Sequence, residues 1–186
     1  MNLLKVNFSE LYDRHLCRHS QFGINVIHIL AVLGIYLCLY GIVYRLVGIE
    51  WLLIGIAGVH LAILALNVPL KVLGSTVAFL AAVIALIVSL PTLPAWAYAL
   101  VIYPFYKIQA WSHKVYNVER DMTEFNKKYR KGFVLFVLLS VYEVPILLNY
   151  LVFDKNNWPA WLSPARRPTQ PVQTSGTPDG RAPQCP

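Results

Sequence analysis

The chain has 186 residues, 57% of them hydrophobic and only 13% charged, about half the charged fraction of a soluble domain, which makes lipid its solvent. The length suits one domain in which several apolar spans of about 20 residues use most of the sequence. A formal charge of +7 is spread along the flanks of the apolar runs and not gathered on one soluble module, so it orients helices in a membrane and gives no argument for nucleic acid.

Residues 1–25 place Leu3, Leu4, Phe8, Leu11 and Tyr12 near one side of a helix, which predicts an amphipathic helix at the interface, with interruptions at Ser9 and Gly23. About 25 mixed residues ahead of the first apolar run are too many for the n-region of a cleavable signal peptide. From Ile24 or Val26 to Val47 the chain is almost wholly apolar, with Arg45 able to snorkel at its end. Gly48-Ile-Glu50 makes a short turn into a second run, Trp51 to Leu70, with His60 near its middle and Asn67-Val-Pro69 closing it. Val72 to Leu90 is the third, where Gly74, Ser75 and Ala78 offer a small-residue face for close helix approach. The fourth, Ala95 to Ile108, is short and aromatic, and Pro104 predicts a kink.

Residues 109–131 are strongly polar and predict a separate interfacial helix; Gly132 to Phe153 is a fifth apolar run containing Glu143 and Pro145. After Trp158 and Trp161 the composition turns to Pro, Arg, Thr, Gln, Ser and Gly, the signature of a disordered tail. The expected fold is all-α: a polytopic transmembrane helical bundle of about five spans plus interfacial amphipathic helices. It forms one membrane-embedded domain over residues 1–161, with a disordered tail over 162–186. The three cysteines, Cys17, Cys38 and Cys185, are widely spaced with no CxxC pair, so neither a disulfide framework nor a zinc knuckle is expected.

Lys and Arg set the orientation. With Lys5, Arg14 and Arg18 in the cytoplasm, four spans return residues 107–131, which carry seven Lys and Arg residues, to the same side. The tail then falls outside with Lys155, Arg166, Arg167 and Arg181, against the rule. An integral protein of this topology belongs in the endoplasmic reticulum of a eukaryote or the inner membrane of a bacterium. Oligomeric state is open.

The even span number matters for chemistry. His15 and His19 are four apart, so both rings leave one side of a helix, a spacing that serves a metal or, as readily, an interfacial helix in contact with water. His28 lies nine residues beyond His19, half a turn out of phase, and joins the pair only if the chain bends near Gly23. Asn25 and His28 stand where the chain enters hydrocarbon, where polar groups need partners or a function. His113 shares a helical face with Gln109, Asn117, Asp121 and Glu124, and Glu119 lies off that face as a partner able to orient a ligand. His15, His19, His28 and His113 are thus candidate metal ligands, and nitrogen and oxygen donors favour iron, zinc or manganese. His60 is open between a packing residue and a ligand. Glu143, inside an apolar run, needs a partner or a proton, and His60 is one candidate. No Walker loop, GxSxG or GxGxxG is present, and five histidines are too few for the boxes of membrane fatty-acid hydroxylases and desaturases.

His19-Ser-Gln-Phe-Gly-Ile-Asn25-Val-Ile-His28 and Gln109-Ala-Trp-Ser-His113, separated by a multi-span apolar middle, resemble the membrane 2-hydroxy fatty acid dioxygenases, the yeast-type enzymes of phytosphingosine α-oxidation. The resemblance spans roughly residues 8–153, and these two segments carry it. It implies an Fe(II)-dependent oxidation by dioxygen that shortens a 2-hydroxy fatty acid by one carbon, with His19, His28 and His113 as iron ligands. The family pattern has a Glu four residues after the later His, where this chain has Asn117, with Glu119 and Asp121 beyond. Asp121 or Glu119 is then the expected carboxylate, and Arg18 or Lys114 the expected holder of the substrate carboxylate. The competing expectation is a non-catalytic small membrane transporter or lipid-binding scaffold with His60 and Glu143 as its polar centre.

Overall fold

The computed structural model describes residues 6–91, 93–116, 123, 127 and 132–154. Asn7 starts the fold: its Oδ1 accepts from the Glu10 N–H at 3.2 Å, the N-cap of α1, Phe8–Arg18. The chain breaks at His19–Gln21 and re-enters helix as α2, Phe22–Val47, which Gly48 ends in the left-handed conformation at φ 68°. The bend expected at Gly23 therefore lies just upstream, and Gly23 sits inside the first turn of α2. Helices α3, Glu50–Ala65, and α4, Leu70–Ser89, follow, the latter entered through Pro69. Helix α5 is Ala95–Val115 and α6 is Phe133–Leu148, which runs on into a π-turn, Asn149–Phe153. No strand occurs among the described residues.

Three described segments are long and apolar enough to cross a membrane: Phe22–Val47, Leu70–Ser89 and Leu135–Phe153. Helix α3, at 16 residues, is about 24 Å long, short of a hydrocarbon core of about 30 Å. Helix α5 has the length, at 21 residues, but ends in Lys107, Gln109, His113 and Lys114. Exposed Leu70, Trp96, Leu100 and Trp51 cover the outside of the bundle, as a lipid-facing surface requires.

Two expectations about local structure are corrected. Helix α5 is continuous through Pro104 into Gln109 and His113, with no separate helix beginning at residue 109, because packing on α2 holds it. A side-chain carbon at Gly23, Gly34 or Gly41 would collide with Tyr116, Phe105 or Tyr98. These pairs advance 11 then 7 residues along α2 and recede 11 then 7 along α5, one antiparallel register in which glycines receive aromatic rings. The small-residue face expected on α4 is not used this way: Gly74 and Ala78 are exposed, and a side chain at Gly74 would meet nothing. The second correction concerns α1, which does more than lie at an interface. Phe8 and Leu11 pack with Leu64, Val72, Tyr142 and Ile146 in a buried core, so its apolar face belongs to the protein.

Ser20, His28 and Tyr36 of the α2 side meet Tyr150, Glu143 and Ser140 of the α6 side, so α6 also runs antiparallel to α2 and hence parallel to α5. Its end stays beside α1, where the Tyr12 hydroxyl donates to Asp154 Oδ2 at 2.6 Å. A strict alternation of spans had placed this end on the far side. Asn117, Glu119, Asp121 and the tail over 162–186 lie outside the described residues.

Candidate metal centre

Three helices deliver one imidazole each to the same point. His19 is the residue that ends α1, His28 lies in the second turn of α2, and His113 in the last turn of α5. Their ring centroids are 4.7 Å apart for His19–His28, 4.8 Å for His19–His113 and 5.0 Å for His28–His113, and one donor atom from each lies within 4.8 Å of the others. Two nitrogens at about 2.1 Å from one ion stand at most about 4.2 Å apart, so closing on an ion asks for a side-chain shift of about half an ångström. Both ring nitrogens of His19 are buried with no hydrogen-bond partner among the described residues. Such orphaned donors and acceptors are rare in folded proteins, and a metal ion would satisfy the one nitrogen that carries the lone pair. His19, His28 and His113 could hold a metal ion.

His15 has another task. Its ring stacks on His19 at 4.2 Å with planes 7° apart, and its Nε2 lies 2.6 Å from Asn25 Oδ1. The Asn25 amide nitrogen donates to the carbonyls of His19 at 2.6 Å and Gln21 at 2.9 Å, so its oxygen is the acceptor and His15 Nε2 carries the proton. That nitrogen is unavailable to a metal. Asn25, fully buried, ties both carbonyls of the break to α2 and so fixes where His19 projects. Tyr150, placed by the π-turn, donates to the Ser20 carbonyl at 3.0 Å and meets His15 edge-on.

His28 is held on both nitrogens. The Gln109 amide donates to Glu143 Oε1 and lies 3.3 Å from His28 Nδ1, which makes Nδ1 the acceptor. Nε2–H then faces Ser112 Oγ at 3.1 Å, whose own proton goes to the Gln109 carbonyl at 2.7 Å. Glu143 Oε1 stands 3.7 Å from His28 Nδ1, close enough for both to reach one ion. Glu143 is thus a carboxylate beside the cluster; Asp121 and Glu119, the ones expected in that role, lie outside the described residues. Its expected pairing with His60 does not form: His60 Nε2–H donates to the Val141 carbonyl at 2.9 Å, a helix-to-helix hydrogen bond apart from the cluster. A polar centre built on His60 and Glu143 is therefore divided between two places.

Burial pushes His15 down to about 4, against the partly offsetting Asn25 hydrogen bond and with neighbouring His28, Arg14 and His113 adding to the depression. Burial, then His15, His28 and His113, push His19 further below the ordinary histidine range. Both imidazoles are neutral at neutral pH, and His19 keeps a lone pair for a metal with no proton to displace.

The cluster opens into a cleft of about 390 Å³. Arg14 and Arg18 of α1 border it beside the histidines, and Leu11, Tyr106, Phe136, Leu139 and Ile146 supply apolar wall. Arg18 is where a substrate carboxylate would need it; Lys114 does not line the cleft. Arg14 was overlooked, although Arg14-His15 and Arg18-His19 repeat at four residues and so share a helix edge. Ser112 had only its place beside His113 as a signal, and Tyr150 had none. Cys17, on the same helix, is disulfide-bonded, where no disulfide framework was expected.

No protein-family model matches the chain, and no curated protein or solved structure is significantly similar to it.

Proposed function

We propose that this chain is a membrane-embedded non-haem Fe(II) dioxygenase that shortens 2-hydroxy fatty acids by one carbon. The observation that carries the reading is the meeting of His19, His28 and His113, around an unpartnered His19, at the head of an apolar cleft bordered by two arginines. Imidazole and carboxylate donors without thiolate suit iron. The resemblance of the two histidine segments to membrane 2-hydroxy fatty acid dioxygenases supplies the substrate class.

Bound there, Fe(II) supplies the redox chemistry through which dioxygen reacts with the substrate. The protein does the rest. His19, His28 and His113 would hold the metal, with Glu143 beside them; Ser112 orients His28 through Nε2–H, and His28 Nδ1 would exchange the Gln109 N–H for the ion; Asn25 and His15 orient His19. Arg14 and Arg18 take the carboxylate, and the apolar wall takes the acyl chain. The overall reaction balances as R–CH(OH)–COOH and O2 giving R–COOH, CO2 and H2O. The C1–C2 bond breaks, and every electron that reduces dioxygen comes from the substrate, so no outside reductant is consumed. The histidine end carries Arg14, Arg18, Lys71, Lys107 and Lys114, against Arg45 at the other, which orients it to the cytoplasm. The host membrane is then the endoplasmic reticulum or a bacterial inner membrane.

The test is turnover. Protein loaded anaerobically with Fe(II) and given 2-hydroxypalmitate and oxygen should yield pentadecanoate by mass spectrometry, and the His19→Ala, His113→Ala double variant should bind no iron and yield none. Stoichiometric iron in the double variant would remove the site, and iron without turnover would remove the reaction.

A further inference from the structure

The cleft does not end at the histidines. Tyr106, Gln109, Ala110 and His113 line it from α5, and Phe136, Leu139, Ser140, Glu143 and Ile146 from α6. Each set is spaced by three and four residues and so is one helical face. The two helices run parallel, joined by the hydrogen bond from Gln109 to Glu143, and they are not among the helix pairs that pack closely along their length. Both are closely engaged elsewhere, α5 with α2 and α6 with α4. What lies between them is a slot. From His113 to Tyr106 it rises about 10 Å along α5, away from the arginines and into the apolar part of the bundle. At that far end Tyr106 is 58% and Phe136 66% exposed, on an outer surface covered by apolar side chains.

The charges along the slot are unequal. Arg14 and Arg18 stand at the histidine end, and among the described residues that line it Glu143 is the only carboxylate. The two guanidiniums outnumber the one carboxylate among these described residues, and a divalent ion in the histidine cluster would add two more positive charges. A ligand that fits has one negative head and one apolar chain, and it reaches the slot sideways from the lipid.

We infer that the space between α5 and α6 is a lateral binding slot for a single-chain fatty carboxylate. The carboxylate lies at Arg14 and Arg18, and the chain runs past Gln109 and Ser140 to leave between Tyr106 and Phe136 into the bilayer. This deepens the proposed function and rests on it for the reacting carbon, but binding itself requires no metal and no 2-hydroxyl group. The Gln109–Glu143 bridge crosses between the two helices, so a single chain that passes beside it is the ligand the slot fits. Ser140, opposite that bridge, is then a specificity-determining position, because a large residue there closes the path of the chain.

The experiment uses the full chain in lipid nanodiscs, with palmitate carrying a diazirine at its chain end as probe and the corresponding long-chain alcohol as control. Photolysis should place the acid probe on the α5 and α6 residues around Tyr106 and Phe136. Arg18→Gln, at an exposed position, and Arg14→Lys with Arg18→Gln should lower acid labelling by about tenfold, the scale of a lost charge-assisted hydrogen bond, and leave alcohol labelling unchanged. Ser140→Phe should block both probes while iron binding persists. Labelling spread evenly over the outer faces of α3 and α4, or equal loss of acid and alcohol in the arginine variants, overturns the slot. His19→Ala separates the two ideas: labelling retained without iron supports the slot whatever the fate of the oxidation, and labelling lost in a folded His19→Ala protein overturns it.

Discussion

Replacing Asn25 with alanine tests whether the break between α1 and α2 is built to aim His19. Asn25 is fully buried and makes three hydrogen bonds, at 2.6 Å with His15, 2.6 Å to the His19 carbonyl and 2.9 Å to the Gln21 carbonyl. A buried polar group deprived of its partner costs about 1–3 kcal/mol. Gln21 is exposed and water can replace its bond, so the low end applies, and roughly 3 kcal/mol is expected for the three together. The larger effect is on the metal. With its carbonyl released, His19 is free to turn from His28 and His113, and loss of such a supporting residue typically lowers metal affinity about 10–100-fold. Asn25→Asp keeps an acceptor for His15 but sets a carboxylate oxygen against both carbonyls, so it should release them at least as fully as alanine does. Thermal unfolding in detergent gives the stability change, and competition with a chelator gives the affinity. An Asn25→Ala protein that unfolds at the parent temperature and binds metal within about threefold of it would refute the positioning role.

Glu143→Gln keeps an oxygen for the Gln109 amide but removes the charge beside His28, so metal affinity and turnover should fall together while the unfolding temperature changes little; unchanged affinity would show that Glu143 lies outside the centre. Gly34→Ala puts a methyl group into the Phe105 ring and should cost about 1–3 kcal/mol, whereas Gly74→Ala meets nothing and should stabilise its helix by about 0.5–1 kcal/mol; equal unfolding temperatures for the two variants would remove the glycine register. His60→Phe breaks the bond to Val141 and should lower stability by about 1–2 kcal/mol with metal affinity intact, where the scaffold reading requires changes at His60 and Glu143 to be more damaging than changes at the interfacial histidines.

The pattern of apolar runs located the helices, since an 18–25-residue stretch without charge has few alternatives in a membrane. The expected return of His113 to the side of His19 and His28 agrees with their meeting in the structure, while three described segments, not five, are long and apolar enough to cross a membrane. What failed was everything that depends on a partner helix. The fourth run was expected to end at Ile108, with a kink at Pro104, but the glycines of α2 give α5 a bed that carries it on to Val115, and no local rule joins Gly34 to Phe105 across 71 residues. Glu143 was noticed for its depth, and His60, the other ionisable group inside an apolar run, was one candidate partner. The parallel arrangement puts it beside Gln109. Gly23 was read as a bend because glycine permits one, but its use is to leave room for the Tyr116 ring.

The cost of the cluster is itself an argument about what it is for. His19 buries two nitrogens without partners, each at about 1–3 kcal/mol, in a place where a ring without nitrogens would pack as well. A purely structural core would be more stable with Phe at this position, as buried polar groups commonly are when replaced by apolar ones of similar shape. His28 differs, because Gln109 and Ser112 satisfy both its nitrogens, and the contrast identifies His19 as the residue that waits for a ligand. An ion that binds only the folded chain returns the deficit through mass action, about 4 kcal/mol when present at a thousand times its dissociation constant. The His19→Phe protein, stripped of metal, should therefore unfold at a higher temperature than the stripped parent and lose the stabilisation that added Fe(II) gives the parent. Unfolding of stripped His19→Phe below the stripped parent would mean that His19 serves the fold, and the case for a metal at this site would lose its main support.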